Sequence, residues 1–139
     1  MLDLCDQVIG AVGLRQHRFD FLRGDPGKRG MCRRLPVDAY YPDHRLVIEY
    51  RERQHSEAVA IMDRRMTVSG CTRGEQRSRY DERRRVVLRE QGIRLVELDY
   101  SMFSHDRAKR LLRVPTDATV VASALAAHVS VTPLDAAAS

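Results

Sequence analysis

The sequence predicts an α/β domain in which a mixed sheet is flanked by helices. Two apolar runs meet at a Pro-Asp-His turn within residues 35–55, as in neighbouring antiparallel strands. A further apolar strand at residues 93–100 follows a long helical segment, and such a helical crossover places it parallel to the preceding strand with a right-handed connection. A chain of 139 residues is long enough to bury a core as one domain.

Composition excludes several classes of protein. Hydrophobic residues make up 43% and charged residues 31% of the chain, which is ordinary for a globular protein. No apolar run approaches the ~20 residues of a membrane-spanning helix, and the first residues do not form a signal peptide. Three widely spaced cysteines predict buried thiols rather than a disulfide framework or a zinc site. We therefore expect no membrane partner and a cytoplasmic location.

Periodicity places the remaining elements. Helical spacing of apolar residues predicts a first helix closed by Gly13 and a long crossover helix closed by Gly92. Period-two alternation predicts a first strand, which a cluster of glycine and proline ends in a flexible basic loop. The predicted helices cover residues 2–14, 74–91, 105–114 and 118–129; the strand and loop cover residues 17–24 and 24–30. Residues 56–73 show no sustained period, and an irregular connection of this length is usually functional or mobile.

The central turn sets two acidic residues opposite each other. If the turn is a two-residue loop, Pro42 pairs with Arg45, and counting back along the ladder places Asp38 opposite Glu49. Directly opposed residues have Cβ atoms roughly 4.5–5.5 Å apart. Like charges at this separation on buried strands destabilise a sheet, so a cation is expected between them.

Two cations fit this position equally well. A hard divalent ion would bind both carboxylates, with the backbone carbonyl of Tyr50 completing the protein's share of its ligands. Alternatively Arg51, which period-two counting places on the same face as Glu49, forms a structural salt bridge with one or both acids.

The order of an acid, a strand turn, a second acid and a basic residue resembles the PD-(D/E)xK nuclease superfamily. These residues are Asp38, Glu49 and Arg51, with Tyr50 between the last two. The sequence departs from the superfamily at Arg51, where a lysine is usual. The continuation Gln54-His55, the helical Arg79-Tyr80-Asp81 and the strand at residues 93–98 narrow the resemblance to very-short-patch-repair-like endonucleases, over roughly residues 15–103.

The resemblance implies a restriction-endonuclease-like fold and a metal-dependent DNA endonuclease or nicking enzyme. Asp38 and Glu49 would bind Mg²⁺ (or Mn²⁺). Arg51 would stabilise charge on the phosphate, because a guanidinium with a pKa above roughly 12 does not act as a base near neutrality. His55 is the titrating group in the motif, and Gln54 beside it completes the catalytic set. The first helix of many such nucleases donates an acid, which makes Asp6 a candidate; a solvated aspartate is the alternative.

The basic residues predict an anionic partner. The net charge is +5, and arginine, which supplies all but two of the 24 basic residues, suits phosphate oxygens. A GC-rich genome would produce the same arginine bias without selection for binding. On the crossover helix Arg83 shares a face with Tyr80 and Val87, so it needs an anionic partner such as Asp38, Glu49 or a phosphate. We predict that basic residues from several elements border one concave, DNA-binding face around the acid pair: Lys28, Arg29, Arg83, Arg107 and Arg110.

Two other functions remain open on the same fold. The first is a catalytically inactive protein with the nuclease fold, which binds nucleic acid or has a regulatory role. In this protein Arg51 would neutralise Asp38 and Glu49. The second is an interaction module whose alanine-rich last helix docks on a second subunit, giving a homodimer. The expected organisation is an endonuclease-like core at residues 1–114, a C-terminal helix at residues 115–130 and a flexible tail at residues 131–139.

Overall fold

A computed structural model describes residues 1–52, 64–67, 70–108 and 110–126. Its elements are α1 (Leu2–Ile9), β1 (Leu14–Pro26), β2 (Cys32–Tyr41), β3 (Leu46–Arg51), α2 (Arg73–Glu90), β4 (Arg94–Asp99) and α3 (Thr116–Leu125), with 3-10 turns at Pro42–His44 and Tyr100–Met102. The predicted catalytic residues Gln54 and His55, most of the 56–73 segment and the predicted tail lie outside the described residues.

The four strands form one mixed sheet in the order β1-β2-β3-β4. The first three strands are an antiparallel meander, and β4 pairs parallel to β3 after the α2 crossover. The predicted α/β class, with a mixed sheet flanked by helices, is confirmed. No helix within the described ranges is both long and apolar enough to cross a membrane.

Helices cover the sheet through two buried apolar clusters. Leu46 and Ile48 of β3 belong to a cluster that includes Cys5 of α1 and residues of α3. Val47, between them, belongs to a second cluster with Leu88 of α2. Successive residues of a strand point to opposite faces, so β3 is buried on both faces. This double burial explains its continuous apolar run.

The central turn differs from the predicted loop but keeps the predicted register. Pro42–His44 form a 3-10 turn closed by Arg45, whose φ of 47° is left-handed. Tyr41 pairs with Leu46 and Ala39 with Ile48, the same pairing count that a two-residue loop would give. The extra turn therefore adds no residue to the count, and the positions of Asp38 and Glu49 relative to each other are unchanged.

The first hairpin is longer than predicted. β1 continues through Gly24 to Pro26, so the prediction that residues 24–30 form a loop is wrong for residues 24–26. The reason is a contact with α2: the Asp25 N–H donates to the Tyr80 hydroxyl at 2.8 Å, and a Cβ added at Gly24 would lie 2.8 Å from that hydroxyl. The turn is completed at Gly30, whose φ is 73°.

Helix boundaries agree with prediction in the middle of the chain and differ at its ends. α1 ends at a left-handed Gly10 rather than at Gly13. α2 lies within one residue of the prediction at each end. The helix predicted at residues 105–114 is wrong, because His105 and Leu111 form an antiparallel bridge and the Asp106 carboxylate accepts the Arg110 N–H at 2.9 Å. An aspartate that bonds a nearby backbone N–H offers the chain this alternative to a helix.

Candidate functional site

Asp38 and Glu49 lie together at the point where β2 and β3 separate. The ladder between the strands ends at Ala39 and Ile48, and beyond it the Tyr50 N–H donates to Asp38 Oδ2 at 2.8 Å instead of to a backbone carbonyl. Both acids line one cavity of about 580 Å³. The predicted convergence of the two carboxylates is therefore confirmed, and it occurs where the ladder between the strands opens.

Glu49 is held in an environment that disfavours its charge. Burial raises its pKa to about 8, and the adjacent Asp38 carboxyl raises it further, through a side-chain hydrogen bond and through like charge. Glu49 Oε1 is buried and accepts no hydrogen bond from any described residue. A buried carboxylate oxygen without a donor is costly, and such groups mark functional sites more often than ordinary surface acids.

Arg84 of α2 forms an ion pair with Glu49. Its Nε lies 3.5 Å from Glu49 Oε1 and donates to the Pro36 carbonyl at 3.2 Å, while its Nη1 donates to Asp81 Oδ1 at 3.2 Å. The charge of Arg84 partly offsets the rise in the Glu49 pKa. Helical spacing favoured Arg83 over this arginine, because several arginines of the helix are interleaved with acids and periodicity alone does not show which of them meets Glu49.

Arg51 lies at the mouth of the same cavity but does not bridge the acid pair. Its Nη2 binds Glu97 Oε1 at 2.9 Å and lies 3.5 Å from Asp81 Oδ2. The expectation that Arg51 neutralises Asp38 and Glu49 is therefore wrong in this structure. Period-two counting placed Arg51 on the correct face, but it could not show that two further acids compete for the guanidinium.

Glu97 extends the row of acids across the sheet. It lies opposite Glu49 in the parallel ladder of β3 and β4. Unlike Glu49, it has cationic partners on both sides, with Arg51 at 2.9 Å and the Arg85 Nη2 at 3.1 Å. Within the described part of the chain no group of three or more His, Cys, Asp or Glu residues is arranged to hold a metal ion. The candidate metal ligands are thus a pair of carboxylates.

A pair is sufficient for magnesium. Mg²⁺ usually takes one or two carboxylates from the protein and completes its shell with water and substrate phosphates. The donor set at Asp38 and Glu49 consists of hard oxygens, and the buried Glu49 Oε1 accepts no hydrogen bond from the described residues, with Arg84 Nε 3.5 Å away. The residues present therefore fit a small divalent cation.

The five predicted DNA-binding residues do not meet at the acid pair, so the prediction of one concave face is wrong. Arg83 binds Asp25 Oδ1 at 2.8 Å and the Arg23 carbonyl at 3.0 Å. The other four lie on two further surfaces: Lys28 and Arg29 line a groove of the first hairpin, while Arg107 and Arg110 lie in the segment after β4. Among the described residues, the arginines that line the acid-pair cavity are Arg51, Arg77 and Arg84.

Asp6 is neither a metal ligand of this cavity nor a solvated residue. Its carboxylate accepts hydrogen bonds from Arg15 Nη2 at 2.7 Å, the Tyr41 hydroxyl at 2.6 Å and the Gly13 N–H at 3.0 Å. Burial alone would raise its pKa, but the hydrogen bonds from Arg15, Tyr41 and Gly13 lower it overall. Asp6 joins α1 to the sheet, and both predicted roles are wrong.

No family model matches the chain, and comparison with curated proteins and with solved structures finds no significant match. Function is therefore inferred from the chemistry of the site, since a fold alone would not determine it.

Proposed function

We propose that the protein is a divalent-metal-dependent DNA endonuclease or nicking enzyme on a restriction-endonuclease-like fold. The observation that carries the proposal is the buried Glu49, whose pKa is raised to about 8 beside Asp38 and whose Oε1 accepts no hydrogen bond from the described residues. An arrangement that costs stability in the isolated protein is expected where a bound cation removes the cost.

Asp38 and Glu49 would hold Mg²⁺ or Mn²⁺. A bound divalent ion would polarise a phosphate oxygen and lower the pKa of a bound water for in-line attack on phosphorus. The Tyr50 N–H fixes the Asp38 carboxylate by its hydrogen bond at 2.8 Å, which orients Asp38 before any ligand arrives.

The arginines of the cavity would act on the phosphate rather than on protons. The Arg51 side chain is 42% exposed, so it can reach a phosphodiester while Glu97 orients its guanidinium. A guanidinium keeps its proton near neutral pH, so Arg51 stabilises developing negative charge and does not serve as the base. Arg84 offsets part of the negative charge of Glu49 through its contact at 3.5 Å.

The catalytically inactive alternative is favoured by one specific observation. The basic residue at the usual lysine position is Arg51, and Glu97 engages it at 2.9 Å. If the protein is catalytically inactive, the cavity would bind a nucleic acid phosphate without hydrolysing its phosphodiester bond. Both functions predict that nucleic acid binds in this cavity, but only the endonuclease would leave cleaved DNA.

Nicking of a supercoiled plasmid in the presence of Mg²⁺ or Mn²⁺ distinguishes them. We expect the wild type to convert the plasmid to open-circular or linear DNA, and Asp38→Asn and Glu49→Gln to lose this activity by a factor of at least ~10². Glu90→Gln is the matched control, because Glu90 is exposed at the far end of α2. A wild type that binds the plasmid without metal-dependent nicking would establish the inactive alternative.

Thermal melting tests the metal site without a substrate. Added Mg²⁺ should stabilise the wild type by about 2.7 kcal/mol at a hundredfold excess over its Kd, through mass action. Asp38→Asn and Glu49→Gln should remove this stabilisation, whereas Glu90→Gln should retain it. Equal Mg²⁺ shifts in all four proteins would show that the ion binds elsewhere.

A further inference from the structure

The first hairpin carries a strongly basic groove away from the acid pair. The groove has a volume of about 780 Å³ and is formed by β1, β2 and the turn between them. Among the described residues, six basic ones line it and no acidic one does: Arg18, Arg23, Lys28, Arg29, Arg33 and Arg34. We call this surface the hairpin groove.

Two of its arginines are fixed in place by neutral groups. The Arg18 guanidinium donates to the Arg34 carbonyl, and Arg23 donates from Nε to the Asp20 carbonyl at 2.9 Å and from Nη1 to the Cys32 carbonyl at 3.0 Å. A carbonyl orients a guanidinium without cancelling its charge. Arg34 alone of the six pairs with a carboxylate of the described chain, that of Asp20 at 3.1 Å. The hairpin groove is therefore preorganised for an anion.

The pairing of the strands concentrates these charges. Arg23 lies directly opposite Arg34, although like charges in opposed positions destabilise a sheet. Arg18 pairs with Pro36 and Arg23 pairs with Arg34, so five positions on β1 are matched by only two on β2. This register shift brings both arginines close to Arg34. Such a cost in the isolated protein is offset if an anionic partner binds there.

The hairpin groove and the acid pair are joined by β2. Cys32 and Asp38 are six residues apart on this strand. At ~3.3 Å per residue they are separated by about 20 Å, which equals roughly six base pairs of duplex DNA. A duplex of about six base pairs or more is therefore long enough to reach from one surface to the other.

We infer that the hairpin groove is a second DNA contact, which binds the phosphate backbone of the duplex whose scissile bond lies at Asp38 and Glu49. The inference rests on the proposed function for its choice of ligand. The residues of the groove would then contribute to the affinity for DNA rather than to its cleavage: Arg18, Arg23 and the exposed Lys28, Arg29 and Arg33. The cleavage site would lie about six base pairs from the edge of the bound region on the hairpin side.

The salt dependence of binding tests this assignment. The probe is a duplex of about 20 base pairs in EDTA, which is longer than the separation of the two surfaces and is not cleaved without metal. Replacing Lys28, Arg29 and Arg33 by alanine should reduce the slope of log K against log salt by about 2 to 3, since each lost phosphate contact contributes ~0.9. The control replaces Arg73, Arg89 and Arg113, which are exposed elsewhere and carry the same total charge.

The outcomes separate the inference from the proposed function. A smaller slope for the hairpin variant than for the control variant supports the hairpin groove, whether or not nicking and the Mg²⁺ shift are observed. Equal slopes for the two variants would overturn it as an effect of net charge, even if nicking is normal. An unchanged slope accompanied by lost binding to vesicles of anionic lipid would overturn it in favour of a membrane surface.

Discussion

Asp6 and Glu49 are two carboxylates with almost equal exposure and opposite properties. Their side chains are 16% and 17% exposed. Arg15, Tyr41 and Gly13 all donate to Asp6, and its pKa is lowered despite burial. Glu49 Oε1 receives no hydrogen bond from the described residues, and burial beside Asp38 raises the pKa of Glu49 to about 8. At similar side-chain exposure, the donors around Asp6, compared with the burial of Glu49 beside a second carboxylate, thus distinguish an acid that stabilises the fold from one available to a ligand.

The largest expected difference between them is in stability. Asp6→Ala should lower the free energy of unfolding by about 2–4 kcal/mol, because it leaves the buried Tyr41 hydroxyl without its acceptor and removes the closer of the two carboxylates that bind the partly buried Arg15 guanidinium. Asp3→Ala is the control, since the Asp3 side chain is 95% exposed and touches the same Arg15; its effect should stay within about 0.5 kcal/mol. Glu49→Gln should be neutral or stabilising at pH 8. Denaturant unfolding of all three variants would contradict the comparison if Glu49→Gln proved the most destabilised.

The second difference is the sign of the pH dependence. The raised pKa of Glu49 means that its contribution to stability is fully present below its ordinary pKa of 4.5 and is lost as pH rises towards about 8. The loss is at most ~1.4 kcal/mol per pH unit. The lowered pKa of Asp6 acts oppositely, so its contribution is lost on acidification through its folded-state pKa. Thermal melts in EDTA from pH 4 to 9 should show that stability falls less steeply at alkaline pH for Glu49→Gln than for the wild type. The same alkaline slope in both proteins would refute the raised pKa assigned to Glu49.

The smallest expected effect sharpens the role of Arg84. Arg84→Gln should move the ionisation of Glu49 to higher pH, by about one unit or less, because a cation at 3.5 Å is removed. The ionisation of Glu49 is read from the pH at which the curves of stability against pH for the wild type and Glu49→Gln separate. The same pair of curves is then measured with Arg84→Gln present in both proteins, and the two pH values are compared. Arg84→Lys keeps the charge and should restore most of the original value. A shift to lower pH would show that Arg84 does not act on Glu49 through its charge.

Local rules predicted what depends on local geometry. Strand alternation and the central turn gave the mixed sheet, and the count from Pro42 and Arg45 placed Asp38 beside Glu49 even though the turn is a 3-10 turn. A register depends on the number of residues in a turn more than on its conformation.

Competition among charged groups could not be predicted in the same way. Helical spacing selected Arg83 as the inward arginine, but Arg83 binds Asp25 on β1, and its neighbour Arg84 reaches Glu49. Which acid an arginine meets depends on how the crossover helix lies on the sheet, and sequence periodicity does not contain that angle. The predicted common face failed for the same reason, since Lys28 and Arg107 lie on elements whose mutual placement is set by tertiary packing.

Glu97 has a further consequence for how copies of the protein meet in solution. It lies on β4, a terminal strand of the sheet, where a foreign strand could add by backbone pairing. Arg94 and Glu97 are exposed along this six-residue strand, and Arg85 of α2 reaches over to bind Glu97 at 3.1 Å. A strand approaching this edge would have to strip water from that ionic cover. The charges beside the proposed site thereby also disfavour edge-to-edge aggregation of the sheet.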